Sequence, residues 1–99
     1  MQSWYAQSFE REMGCTAGEL LAWLDGACGG RPVSLGEHRA SVEIDAGHLR
    51  LQWQALPARQ IALMRMPRLA VSFRFEHVEE AMRQKFMRYF DLYTQRGGG

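Results

Sequence analysis

With 99 residues, 46% of them hydrophobic and 23% charged, the chain is long enough for one core, too short for two, and too apolar to be disordered. A formal charge of +1 and a pI near 7.9 remove any bulk electrostatic case for nucleic acid, an anionic membrane or a strongly acidic partner, and leave room only for a local patch. The two cysteines, Cys15 and Cys28, are too few for a zinc site and read as buried thiols in preference to a disulfide.

Residues Met1 to Met13 read as a strand, because Phe9, Arg11 and Met13 alternate with Ser8, Glu10 and Glu12 after Trp4 and Tyr5. An N-terminal helical arm is the competing reading. Thr16-Ala17-Gly18-Glu19 has capping-box spacing, so a helix starts there with Ala17, Leu20, Leu21, Leu24 and Cys28 as its buried stripe and Trp23 and Ala27 on the flanks. Gly29-Gly30 stops it, Pro32 opposes its resumption, and Gly30 to Glu37 is a linker. Ala40, Val42 and Ile44, then Leu49, Leu51 and Trp53, alternate with polar residues, and Asp45-Ala46-Gly47-His48 joins the two strands as a hairpin. The register expected is Ile44 facing Leu49, Val42 facing Leu51 and Ala40 facing Trp53, with Glu43 meeting Arg50 outside.

Leu56-Pro57-Ala58-Arg59 is expected to turn the chain into a third strand, Gln60 to Met66, and Pro67-Arg68 to turn it again into Leu69 to Glu76. The face of the third strand stays open: either Ala62, Met64 and Met66 point inward, or Ile61 and Leu63 do. Both faces are apolar, as in a central strand covered twice, by the N-terminal segment or by a second copy of the chain. From Val78 the period changes to that of a helix, with Val78, Ala81, Met82, Phe86, Tyr89, Phe90 and Tyr93 on one face as far as Gln95.

These elements predict a single α+β domain over residues 1–96 with a glycine tail, 97–99. Its antiparallel four-stranded meander, five-stranded with the N-terminal segment, is packed on one face by two helices in the order (β)-α-β-β-β-β-α. In topology this order resembles the TATA-binding-protein-like and helix-grip folds, and the tail Arg96-Gly97-Gly98-Gly99 resembles the flexible ends of ubiquitin-like modifiers and sulfur carriers. Neither resemblance delivers a function.

Two residue sets are candidates for function. Trp53, Phe73, Phe75, Phe86 and Tyr89, with Lys85 set into the apolar arc of the last helix, would line a sheet–helix cleft for a small apolar ligand. Ile61 and Leu63, with Arg50, Arg65 and Arg74 on the outer sheet face, would form an interface for a homodimer or protein partner, or thirdly a basic face for nucleic acid. His38, His48 and His77 sit at strand ends, and no nucleophile or paired-carboxylate spacing emerges, so no catalytic, metal or cofactor residues are assigned. No apolar run approaches the roughly 18 residues of a membrane span, and the start lacks a basic stretch followed by a hydrophobic one. The expectation is therefore a non-enzymatic, cytoplasmic binding domain without membrane contact, the alternative being a carrier or enzyme that handles a small apolar ligand in the sheet–helix cleft.

Overall fold

A computed structural model describes residues 4–95 of the chain. Its elements run β1 (Ser8–Met13), α1 (Ala17–Ala27), β2 (Val33–Gly36), β3 (Arg39–Ile44), β4 (Gly47–Ile61), β5 (Met64–Glu76) and α2 (Glu80–Gln95). All strand pairs are antiparallel and the sheet order is β1-β5-β4-β3-β2, an α+β fold in which β2 to β5 form a meander and β1 returns beside β5. The glycine tail lies outside the described residues. Among those described, no helix is long and apolar enough to cross a membrane.

Alternation builds the core side of the sheet from Ala40, Val42 and Ile44, from Leu49, Leu51 and Trp53, and from Leu69, Val71, Phe73 and Phe75. Phe73 is its hub: it stacks on Phe9 of β1 at 4.8 Å and meets the edge of Phe90 from α2 at 5.5 Å. The α1 capping box forms as the spacing requires, the Glu19 amide donating to Thr16 Oγ1 at 3.1 Å and the Thr16 amide to Glu19 Oε1 at 2.8 Å. Leu20, Leu24, Ala27 and Cys28 are buried, whereas Leu21 faces solvent. Cys15 and Cys28 are both buried and free.

The strands differ from expectation in three places. The linker Gly30 to Glu37 contains β2, whose Val33 and Leu35 pair with Val42 and Ala40 around a two-residue turn at Glu37-His38. The β3–β4 turn is also two residues, Asp45-Ala46, so Ile44 pairs with Gly47, Val42 with Leu49 and Ala40 with Leu51. A two-residue shift preserves parity, so every inward side chain stays inward, and Arg50 faces Ser41 instead of Glu43. Third, Leu56 to Arg59 does not turn the chain: β4 runs on to Ile61, and β5 begins at Met64.

The buried face of α2 is rotated from the expected arc. Phe86, Met87 and Phe90 enter the core together with Arg83, Gln84 and Asp91, while Ala81 and Tyr89 face outward. The reason is the N-terminal segment, which lies on α2 and needs polar partners there. The Tyr5 amide donates to Gln84 Oε1 at 2.7 Å, and the Tyr5 carbonyl accepts from Gln84 Nε2 at 2.7 Å and Arg83 Nε at 3.0 Å. The Tyr5 hydroxyl donates to Asp91 Oδ2 at 2.5 Å, and Arg11 pairs with Asp91 Oδ1 at 2.8 Å while lying over the Phe73 ring. Trp4 and Tyr5 thus cover the helix, not the outer sheet face.

Two substitutions test this packing. A side chain at Gly47 would run into the backbone carbonyls of Glu76 and His77, so Gly47→Ala should cost ~1–3 kcal/mol in urea unfolding. Burial first, then the hydrogen bond to Asp91, raise the Tyr5 phenol to about 12, so the folded state favours its neutral form. That stabilisation is complete below the ordinary phenol value of about 10 and is lost as pH climbs towards about 12. Tyr5→Phe should cost ~2 kcal/mol at neutral pH, and its deficit relative to the parent should shrink above pH ~10; a deficit constant with pH would refute the assignment.

Candidate functional site

The most unusual part of the molecule follows from unequal strand lengths. β4 has 15 residues and β5 has 13, whereas β1 and β3 have six each. Pairing with β3 ends at Arg39–Gln52 and pairing with β1 ends at Met13–Leu69, so beyond Gln54 and Leu69 the two long strands pair only with each other among the described residues. At about 3.3 Å per residue the ribbon reaches some 17 Å past the five-stranded part. The molecule accordingly measures 46 Å along its longest axis against 29 and 23 Å across.

A bulge marks the root of this arm: Leu56 pairs with Arg68 and the next pair is Arg59–Met66, three steps on β4 against two on β5. Pro57 sits inside the bulge and Pro67 across from it. Neither proline has a ladder partner among the described residues, and the missing amide hydrogen at each discourages strand addition at the root. Arg68 ties the root to the body, donating to Glu12 Oε1 at 2.8 Å and to the Pro57 carbonyl at 3.2 Å. Its guanidinium holds the Glu12 carboxyl below the usual carboxylate range.

The tip turns through Ala62-Leu63, with Ala62 at φ +53°. Ile61 pairs with Met64, so both lie on one side with Arg59 and Met66, while Gln60 and Arg65 take the other. Neither alternation expected for a central strand applies, because Gln60 to Met66 is not one strand but the turn and both flanks of a hairpin end. Leu63 is 99% exposed, Met64 65%, Ile61 52% and Met66 43%. Four large aliphatic side chains thus stand in water at the end of a two-stranded ribbon, an element marginal by itself.

The remaining candidates fall elsewhere. Arg50 and Arg74 are cross-strand partners whose like charges are bridged by Glu76, at 2.8 Å from Arg50 Nε and 3.6 Å from Arg74 Nε, with His48 Nε2 at 2.6 Å. The hydrogen bonds from Arg50 and His48 hold the Glu76 carboxyl below its ordinary value. Arg65 lies nine residues from Arg74 along β5, roughly 30 Å away, so the arginines do not make one patch. Trp53, Phe73, Phe75 and Phe86 come together in the core, the last two edge to face at 6.0 Å. Tyr89, 49% exposed, and Lys85 stand on the solvent side of α2 and do not line that core.

Charge is more segregated than its total suggests. Residues 46–75 contain five arginines and no Asp or Glu, so the rest of the chain carries the other seven Lys and Arg against all 11 carboxylates. Glu76 and Glu12, from outside this stretch, engage Arg50, Arg74 and Arg68; Arg59 is 4.0 Å from Glu12, and Arg65 makes no ion pair among the described residues. The carboxylate-free run is a sequence signal that spans β4 and β5 as far as Phe75, the arm included. No group of three or more His, Cys, Asp or Glu among the described residues stands close enough to hold a metal ion.

The Glu76 cluster gives a pH test. A depressed carboxyl stabilises the fold above its unfolded value, about 4.3, and that contribution disappears as pH falls through the lower native value. Glu76→Gln should therefore be less stable than the parent at pH 7, with the gap closing below pH ~4 in urea titrations. A gap that persists in acid would contradict the assignment.

Compared with known family models, curated proteins and solved structures, the chain matches none.

Proposed function

We propose that the chain is a non-catalytic binding module whose contacting element is the β4–β5 arm, with the cytoplasm as its location, where thiols such as Cys15 and Cys28 stay reduced. The observation that carries this reading is the exposure of Ile61, Leu63, Met64 and Met66 together at a projecting end. A stable chain that leaves such a cluster in water forgoes burial energy of roughly 1.5–3 kcal/mol for each side chain that a partner would cover fully.

The flat outer sheet face supports contact less well. Its central residues are Gln52, Gln54, Ser72 and Ala70, the composition of a solvated antiparallel face, and Arg50 and Arg74 are already engaged by Glu76. Direct self-association of arm tips would bring Arg59 and Arg65 of one copy against those of another, which opposes a tip-to-tip homodimer.

Site-specific photocrosslinking in cells producing the protein distinguishes the surfaces. A photoreactive residue in place of Leu63 should give adducts, whereas the same residue in place of Gln54 on the sheet or Leu92 on α2 should not. Adducts at 54 or 92 with none at 63 would reject the arm as the contacting element.

A further inference from the structure

The arm carries aliphatic residues at its leading end and cations behind them, and that order specifies a chemistry. From the turn at Ala62-Leu63, the Ile61–Met64 pair is the first rung, Gln60–Arg65 the second and Arg59–Met66 the third. With rungs about 3.3 Å apart, the Arg65 and Arg59 backbones stand roughly 7 and 10 Å behind the tip, on opposite sides of the ribbon. Amphipathic segments that lie at a bilayer surface bury their apolar side chains about 5–10 Å into the boundary between headgroups and acyl chains. Sunk to that depth, Ile61 to Met64 reach apolar material while the Arg65 guanidinium stands at the level of lipid phosphates; that of Arg59, 4.0 Å from Glu12 in the free chain, reaches the same level by turning away from that carboxylate, and each can engage a phosphate bidentately.

We propose that the arm is a probe for an anionic lipid surface, inserting Ile61, Ala62, Leu63 and Met64 below the headgroups and setting Arg59 and Arg65 against phosphates. The proposal rests on the arm being the contacting element and names what it contacts. The expectation of no membrane contact followed from the total charge and the lack of a spanning segment; a probe of one hairpin end needs neither. The distribution of charge supports it. The arm contains no carboxylate; Glu12 at its root is taken up by Arg68, and the other carboxylates stand behind a ribbon of some 17 Å, about twice the screening length of roughly 8 Å in physiological salt, so their repulsion from an anionic surface is largely screened.

A second copy fits less well. One hollow on the outer face has Glu10, Glu12 and Glu37 to receive cations, but Gln52, Gln54 and Ser72 give an apolar tip little to bury against. Nucleic acid fits less well too, because single strands are held by stacking aromatics and the arm has none.

Vesicle flotation with the intact chain tests this directly. Vesicles of phosphatidylcholine with one-third phosphatidylglycerol should carry the protein upward, phosphatidylcholine alone far less, and raised salt should release it. Leu63→Glu, at a fully exposed turn position where folding is not at stake, should weaken binding at least tenfold with the thermal midpoint unchanged. Arg59→Gln and Arg65→Gln should each cost about fivefold. Lys85→Gln with Arg88→Gln, which removes from α2 as much charge as the two arm substitutions do together, should leave binding unchanged. A folded protein that stays with the buffer at low salt, or that prefers duplex DNA to the vesicles in competition, overturns the proposal. If adducts at position 63 are then to protein, the arm remains the contacting element and only the lipid assignment falls. Equal loss from the α2 substitutions would overturn both.

Discussion

The pairing of β4 with β5 is the constraint on which the rest of the structure depends, since these two strands continue where their neighbours stop. Their inner halves supply Leu49, Leu51, Trp53, Val71, Phe73 and Phe75, the floor against which both helices pack. Among the described residues, no third strand pairs with their outer halves, past Gln54 and Leu69. One ladder therefore carries both the core and its opposite, an exposed ribbon whose hydrogen bonds form without a hydrophobic face behind them. The bulge at Pro57 and the Glu12–Arg68 pair sit where the first environment gives way to the second.

A second device holds the molecule closed around that floor. The N-terminal segment crosses α2 with its backbone bound to Gln84 and Arg83, and Asp91 joins the Tyr5 hydroxyl to the Arg11 guanidinium. Burying these groups carries a desolvation cost that their mutual hydrogen bonds offset, so removing one partner costs more than the network contributes net. It sets the rotation of α2. With Arg83, Gln84 and Asp91 turned inward, Tyr89 and Lys85 must face water, and Phe86, Met87 and Phe90 descend onto Phe73 and Phe75.

How far the chain itself announces this depends on which forces act locally. The α1 start was legible because a capping box is a contact between residues three apart, and the inward set of β3, β4 and β5 was legible because pleat alternation survives a two-residue change of register. The α2 rotation was not, since it answers to partners some 80 residues away in the sequence. The arm was hidden by two prolines that resemble turn residues yet sit at a bulge and an open edge, and by a turn, Ala62-Leu63, that lacks the Asn-Gly or Gly chemistry usual at positive φ. Ile61 and Leu63 are contact candidates in the sequence for an apolar character that a central strand would have explained and a hairpin end leaves unexplained. Their fellow candidates Arg50 and Arg74 were grouped with Arg65 by parity alone, which ignores position along the strand.

The contact role of the arm requires that Gln60 to Met66 form the end of a projecting hairpin. Proton NMR contacts between backbones across the ribbon report this directly. The structure predicts contacts between Ile61 and Met64, Gln60 and Arg65, and Arg59 and Met66, with none from these residues to Leu49 through Gln54. Cross-strand contacts from Gln60–Met66 to Leu49–Gln54, as in a meander that turns at Pro57, would remove the arm and every inference drawn from it.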